Sequence, residues 1–192
     1  MSLADRLRAA FDRPPAEPLL AGDDSKFAAA PTPAAVLIAI TDRPEPGVIL
    51  TVRHADMRTH AGQVAFPGGR IDAGEDAGTA ALREAWEELG LEPKLVDQIA
   101  SLDPYLTVTG YAVTPIIGVV PPDLALAPHE PEVADWFEAP LGFVLDPANQ
   151  VRESVLFEGR QRHYYRIDWN GRKIWGATAA MIVNLSRRLQ WS

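Results

Sequence analysis

Between Gly69 and Gly90 the chain spaces four glutamates and one arginine as G-x5-E-x7-R-E-x2-E-E-x-G, fixing Glu75, Arg83, Glu84, Glu87 and Glu88 between two glycines. At roughly 100° per residue, a helix here brings Glu84 and Glu88 within about 40° of each other, with Glu87 about 60° to the other side of Glu84. Leu82, Ala85, Trp86 and Leu89 recur at three- and four-residue steps and are expected to bury on the opposite side. Three carboxylates in one turn repel by a few tenths of a kcal/mol per pair, and no lysine is interleaved to relieve them. A hard divalent cation such as Mg²⁺ or Mn²⁺ reverses that cost, because it prefers carboxylate oxygens and keeps waters for substrate phosphates. An acidic run alone is more often a solvated face. Seven fixed residue types, at roughly 7% usage each, make chance agreement on the order of one in 10⁸ per start position.

Just upstream, Arg53, His54, Arg58 and His60 put four basic or imidazole side chains into eight residues of an otherwise acidic chain. Each histidine taken singly reads as an ordinary loop residue. The arginines carry more, since planar guanidinium forks suit phosphate and these precede a metal-binding pattern.

The Gly69–Gly90 pattern resembles the Nudix box of the Nudix hydrolases, which cleave a nucleoside diphosphate linked to another group; Ala85 stands where that family usually has a bulkier aliphatic. Ile49-Leu50-Thr51 with Arg53, Arg58, Gly62 and Phe66-Pro67-Gly68-Gly69 is similar to the motif L-L-T-x-R-S/A-x3-R-x3-G-x3-F-P-G-G that precedes the box in the coenzyme A pyrophosphatase subfamily. Ile49 replaces a leucine there, and His54 replaces a small residue. Weaker likenesses at Thr107–Tyr111, Glu132-Val133 and Trp175–Thr178 extend the resemblance over about Ala34 to Leu189.

This resemblance implies an α/β fold, a three-layer α/β/α sandwich around a mixed β-sheet. It implies Glu84, Glu87 and Glu88 as ligands of Mg²⁺ or Mn²⁺, with a backbone carbonyl from Gly69 or its neighbour Gly68 completing the shell. Glu75 and Arg83 would pair to orient loop and helix. The reaction implied is attack of water on a pyrophosphate, with Glu87, Glu88 or Glu132 as the general base. Arg53 and Arg58 would meet substrate phosphates beside Gly68, and Phe66 would pack near an adenine or fill the core. Coenzyme A would yield 3′,5′-ADP and 4′-phosphopantetheine. ADP-ribose, NADH or a dinucleoside polyphosphate is the alternative substrate, and a non-catalytic nucleotide-binding module the alternative class; the four intact box glutamates argue against the module.

The 192 residues suit one domain with a sizeable core. A net charge of −8 argues against a nucleic-acid binder and requires local cations or metal for a polyanionic substrate. No run of about 18 apolar residues suggests a membrane span, and Met1–Arg13 lacks the apolar core of a secretory signal, so a cytoplasmic location is expected. The absence of cysteine excludes disulfides and thiolate sites. Nothing in the sequence sets the oligomeric state.

A short helix at Ala4–Phe11 and a proline-rich connector make residues 1–31 an arm before the catalytic domain, residues 32–192. Strands are expected at Ala34–Thr41, Val48–Arg53 (as a hairpin), Val96–Leu102, Ala112–Val120, Glu132–Glu138, Val151–Phe157 and His163–Trp169. Pro115 suggests an edge or a bulge. A short helix at Leu141–Leu145, a turn at Asn170-Gly171 before Lys173–Trp175, and a closing helix at Gly176–Leu189 complete the expectation.

Overall fold

The computed structural model describes residues 1–23, 30–54, 62–129, 131–157 and 159–190. Arg58 and His60 lie outside these described residues. The chain opens with α1 (Leu3–Phe11), followed by β1 (Thr32–Thr41) and β2 (Gly47–Arg53). Two short strands, β3 (Val64–Ala65) and β4 (Gly68–Arg70), lead to α2 (Ala77–Leu89). Next come β5 (Asp97–Ser101), β6 (Tyr105–Leu106), β7 (Tyr111–Val120) and β8 (Val133–Pro140). After α3 (Leu141–Leu145), β9 (Val151–Phe157), β10 (Arg160–Trp169) and β11 (Arg172–Trp175) precede α4 (Gly176–Leu189).

The apolar run expected at Ala34–Thr41 becomes the middle of the larger sheet. It pairs in parallel with β7 from Thr32↔Tyr111 to Thr41↔Val120, and a strand covered on both faces can be apolar at nearly every position. The expected hairpin with β2 holds only near its turn, at Ile40↔Val48. Beyond that, β2 leaves to pair with β8 and β3, and β4 takes its place against β1. Gly69 and Arg70 are therefore strand residues. The order is β3-β2-β1-β7-β5, with β4 on β1, β6 on β7 and β8 on β2. The sheet is mixed.

Pro115 lies in the interior strand β7 rather than at an edge. Its carbonyl accepts from the Leu102 N–H at 2.9 Å, so its nitrogen faces the same side, where β5 ends and β6 begins. The missing donor falls at that break in the partner strand, which is how an interior proline is tolerated.

Helices cover both faces. On one, α2 presses an alanine stripe, Ala80, Ala81 and Ala85, into a cluster with Ala35, Leu37 and Ile49. On the other, α1, α3 and α4 share a larger cluster with Ile38, Ile40, Leu50 and Ile117. The smaller sheet β11-β10-β9 joins this second face through Ile167 and Ile174, both fully buried. The result is an α/β sandwich with helices on both sides of a mixed sheet. Among the described residues, no helix is long and apolar enough to cross a membrane.

The first 23 residues, read as an arm, pack onto this core. A capping box between Ser2 and Asp5 starts α1, and its Leu3 and Leu7 are buried in the larger cluster. Arg8 pairs with Asp97 at 2.5 Å. The Asn184 side chain clamps the Leu20 backbone, accepting from its N–H at 2.7 Å and donating to its carbonyl at 2.9 Å. Asp23 accepts from the Tyr105 hydroxyl and the Val108 N–H.

Candidate active site

The structure corrects which side of α2 is buried. The stripe through Ala81, Ala85 and Leu89 sets the inward direction. Relative to Ala85, Glu88 lies about 60° round the helix, Glu84 about 100° and Glu87 about 160°. Exposure follows that order: Glu88 is 6% exposed, the Glu84 side chain 16% and the Glu87 side chain 55%. Trp86, expected in the core, sits about 100° off the stripe on its other flank and is 50% exposed. The three glutamates thus run from buried to solvated rather than sharing one wet face. Asp76 caps the helix start through the Thr79 N–H at 2.8 Å, and Gly90 ends it in the left-handed region, φ 68°.

The two glycines of β4 let carboxylates close onto the backbone. A Cβ on Gly69 would overlap the Glu84 carboxylate, and one on Gly68 would overlap the Ala35 carbonyl in β1. The Gly68 N–H donates to Glu88 at 3.1 Å. Burial pushes the Glu88 carboxyl up to about 7; the Gly68 N–H and Arg53 oppose that rise, and Glu84 and Glu132 add to it. Burial also raises Glu84, against its pair with Arg83 and with further help from Glu87 and Glu132.

Arg83 is the hub. Its Nε and one terminal nitrogen grip both oxygens of Glu75 at 3.0 Å, and that same terminal nitrogen donates to the Arg70 carbonyl at 3.0 Å. Its other terminal nitrogen reaches Glu84 at 2.9 Å and Glu87 at 3.4 Å. The guanidinium holds Glu75 below its usual carboxylate range, assisted by the Asp72 N–H. In this way one side chain ties β4, the following loop and two glutamates of α2 together.

Arg53 enters at a bulge. The β2–β8 ladder slips between Val52 and Arg53, so that Val52 faces Asp135 while Arg53 faces Val133. The extra residue, Ala134, lies in β8 opposite Arg53, and Arg53 is close enough to stabilise ionised Glu88. Its buried Nε has no hydrogen-bond partner among the described residues. Glu132, just ahead of β8, is exposed; its carbonyl accepts from the His54 N–H at 3.0 Å, and its charge is felt by both Glu84 and Glu88. Phe66 is 3% exposed within the larger apolar cluster, so it is a core residue and not a ligand platform.

Among the described residues, no three acidic or histidine side chains stand round a common point, and Glu84 and Glu87 both pair with Arg83. The donor set still fits a hard divalent cation. It offers carboxylate oxygens alone, one of the carboxylates is buried with a single N–H donor, and an uncompensated buried carboxylate is stabilised by a nearby cation. No sequence pattern announces the Gly68–Glu88 contact beyond the glycine pair itself. Nor does any pattern show that Arg70 contributes its carbonyl to the hub.

A mixed sheet between helices and an Arg83-centred glutamate cluster on α2 are both expected of a Nudix chain. The chain belongs to the Nudix family: residues 31–157 match the NUDIX domain. It is 43% identical over 158 residues to the Nudix hydrolase NudL of Cronobacter sakazakii, covering 81% of this chain and 82% of the relative. With NudL of Escherichia coli K12 the identity is 42% over the same coverage. Among solved structures, the Nudix hydrolase RenU of M. smegmatis aligns with a TM-score of 0.53 at 23% identity, over 66% of this chain and 81% of that one, which supports the fold. Nudix hydrolases generally use divalent metal ions.

Proposed function

We propose that the chain hydrolyses the pyrophosphate of coenzyme A, releasing 3′,5′-ADP and 4′-phosphopantetheine. The observation that carries this reading is Arg53, whose buried Nε has no hydrogen-bond partner among the described residues, whose charge is felt by Glu88 at the buried end of the glutamate series, and which lies within the subfamily-like stretch Ile49–Gly69. Glu84, Glu87 and Glu88, with the Gly69 carbonyl, would hold Mg²⁺ or Mn²⁺. When bound, the metal supplies charge neutralisation of the diphosphate and acidification of a water.

The chain's own residues do the rest. Arg53 binds a pyrophosphate oxygen through a charge-assisted hydrogen bond, and Arg58 is assigned to the same group of phosphates. Arg83 and Glu75 fix the helix relative to β4, which keeps Glu84 against Gly69. Glu132 takes the proton from the attacking water. It is solvated, unlike Glu88, and its charge is felt by Glu84 and Glu88, so it is free to accept and then release a proton to solvent. The substrate is a small nucleotide; no nucleic acid or membrane enters the reading.

Turnover of a panel of coenzyme A, dephospho-coenzyme A, ADP-ribose, NADH and a dinucleoside polyphosphate with Mg²⁺ tests this. Coenzyme A should give the highest kcat/KM. Preference for ADP-ribose or NADH would remove the coenzyme A assignment and leave the pyrophosphohydrolase chemistry standing.

A further inference from the structure

Away from the box, a cleft of about 200 Å³ opens between β10, the start of α4 and the N-terminal segment at Leu20–Asp23. Tyr105, Tyr164 and Tyr165 line it together with Arg152, His163 and Arg187. Arg152 stands opposite Tyr165 in the β9–β10 ladder, and His163 precedes Tyr165 by two residues. Opposed residues and residues two apart share a face, so all three look the same way. The side chains of Arg152 and His163 have no hydrogen-bond, ion-pair or ring partner among the described residues. Arg187, by contrast, is occupied by Glu17 at 3.3 Å and the Pro18 carbonyl at 2.5 Å.

The local charge is positive in a chain of net charge −8. The acid lining the cleft, Asp23, is already served by two donors, the Tyr105 hydroxyl and the Val108 N–H. Gly176, first residue of α4, also lines the cleft, and that helix start has no side-chain cap. The positive end of its dipole adds to the Arg152 charge.

We propose that this cleft binds the phosphomonoester-bearing end of a nucleotide, with the phosphate on Arg152 and His163 and the base against Tyr165, which shares their face. Two separate donors on neighbouring strands match a dianion with three acceptor oxygens; a carboxylate would be satisfied by one guanidinium alone. The volume is below the roughly 300–1,000 Å³ of a site for a whole drug-sized ligand, so the cleft takes one end of a molecule. The first turn of α4 connects it to the strand that carries Arg53. Its Thr178 hydroxyl donates to the Val64 carbonyl at 3.1 Å, and Val64 pairs with Val52, next to Arg53. The choice of nucleotide rests on the pyrophosphohydrolase reading above.

Calorimetric titration of 3′,5′-ADP into the full chain in EDTA tests this without turnover. Wild type should bind 3′,5′-ADP more tightly than 5′-AMP, and the Arg152→Ala/His163→Ala double variant should lose about tenfold or more of that affinity, the worth of a charge-assisted hydrogen bond. Both positions are exposed, so the melting temperature should not move; Arg152→Gln alone serves if the double variant misfolds. Equal binding by variant and wild type, or no preference over 5′-AMP, overturns the proposal. Kinetics then separate two sources of the phosphate. A loss of kcat/KM on coenzyme A but not on dephospho-coenzyme A identifies the occupant as the substrate's own 3′-phosphate. Unchanged kinetics with lost 3′,5′-ADP binding identify a separate nucleotide, and either result upholds the cleft. If coenzyme A is not hydrolysed while the titration still depends on Arg152 and His163, the functional reading falls and the cleft stands.

Discussion

Burial disfavours the charge of Glu88, while the proposed metal binding would need it. A carboxyl raised to about 7 in the folded state, against about 4.3 unfolded, gives stability that is complete below the unfolded value and is lost as pH rises through 7. In EDTA, Glu88→Gln should therefore be more stable than wild type at pH 8 and converge with it near pH 4. The gap should reach a few kcal/mol, since each pH unit separating the folded and unfolded values is worth roughly 1.4 kcal/mol; denaturant unfolding across the pH range measures it. A gap that shrinks as pH rises would contradict the buried, singly bonded carboxylate. The same substitution should damage catalysis. Glu84→Gln and Glu88→Gln should each lower kcat by two to three orders of magnitude, about 3–4 kcal/mol of barrier, with the far-ultraviolet spectrum unchanged. Either variant retaining a tenth of wild-type rate at saturating Mg²⁺ would remove it from the ligand set.

Among the elements, the N-terminal segment tests how far local pattern reaches. α1 was legible from its amphipathic spacing, but its destination was not, since nothing local says that Leu7 meets α4 and the sheet. Leu7→Ala should cost about 2–5 kcal/mol, as for a fully buried leucine, measured by denaturant unfolding. A loss below about 0.5 kcal/mol, typical of surface positions, would mean that the segment is a loose appendage. The longer strands and α2 to α4 were legible from apolar runs, periodicity and turn residues. β3 and β4 were not, because strands of two and three residues carry no period, and two of β4's three residues are glycine. The box glutamates were legible as a set. Their graded burial was not, because it depends on alanines rather than Trp86 turning inward. Arg53 was singled out by type, whereas its place beside Glu88 depends on how β2 and α2 pack. Arg152 and His163 went unnoticed because only the β9–β10 register places them together.

At the scale of the whole molecule, a chain of net charge −8 must draw a polyanion to a site crowded with glutamates. On the proposed reading two devices would answer this: the basic groups at Arg53 and in the second cleft, and a divalent cation held by the box carboxylates. Adding Mg²⁺ should raise the melting temperature, because an ion bound by the folded state alone stabilises it by mass action; a titration by differential scanning fluorimetry checks this, and Glu84→Gln should blunt the rise. The central claim is metal-dependent cleavage of the coenzyme A pyrophosphate, and it is tested most directly by mass spectrometry of the products after incubating the chain with coenzyme A. With Mg²⁺ or Mn²⁺ the products should be 3′,5′-ADP and 4′-phosphopantetheine, and none should form in excess EDTA. Intact coenzyme A in the presence of metal would contradict the substrate assignment, and full turnover in EDTA would contradict the mechanism.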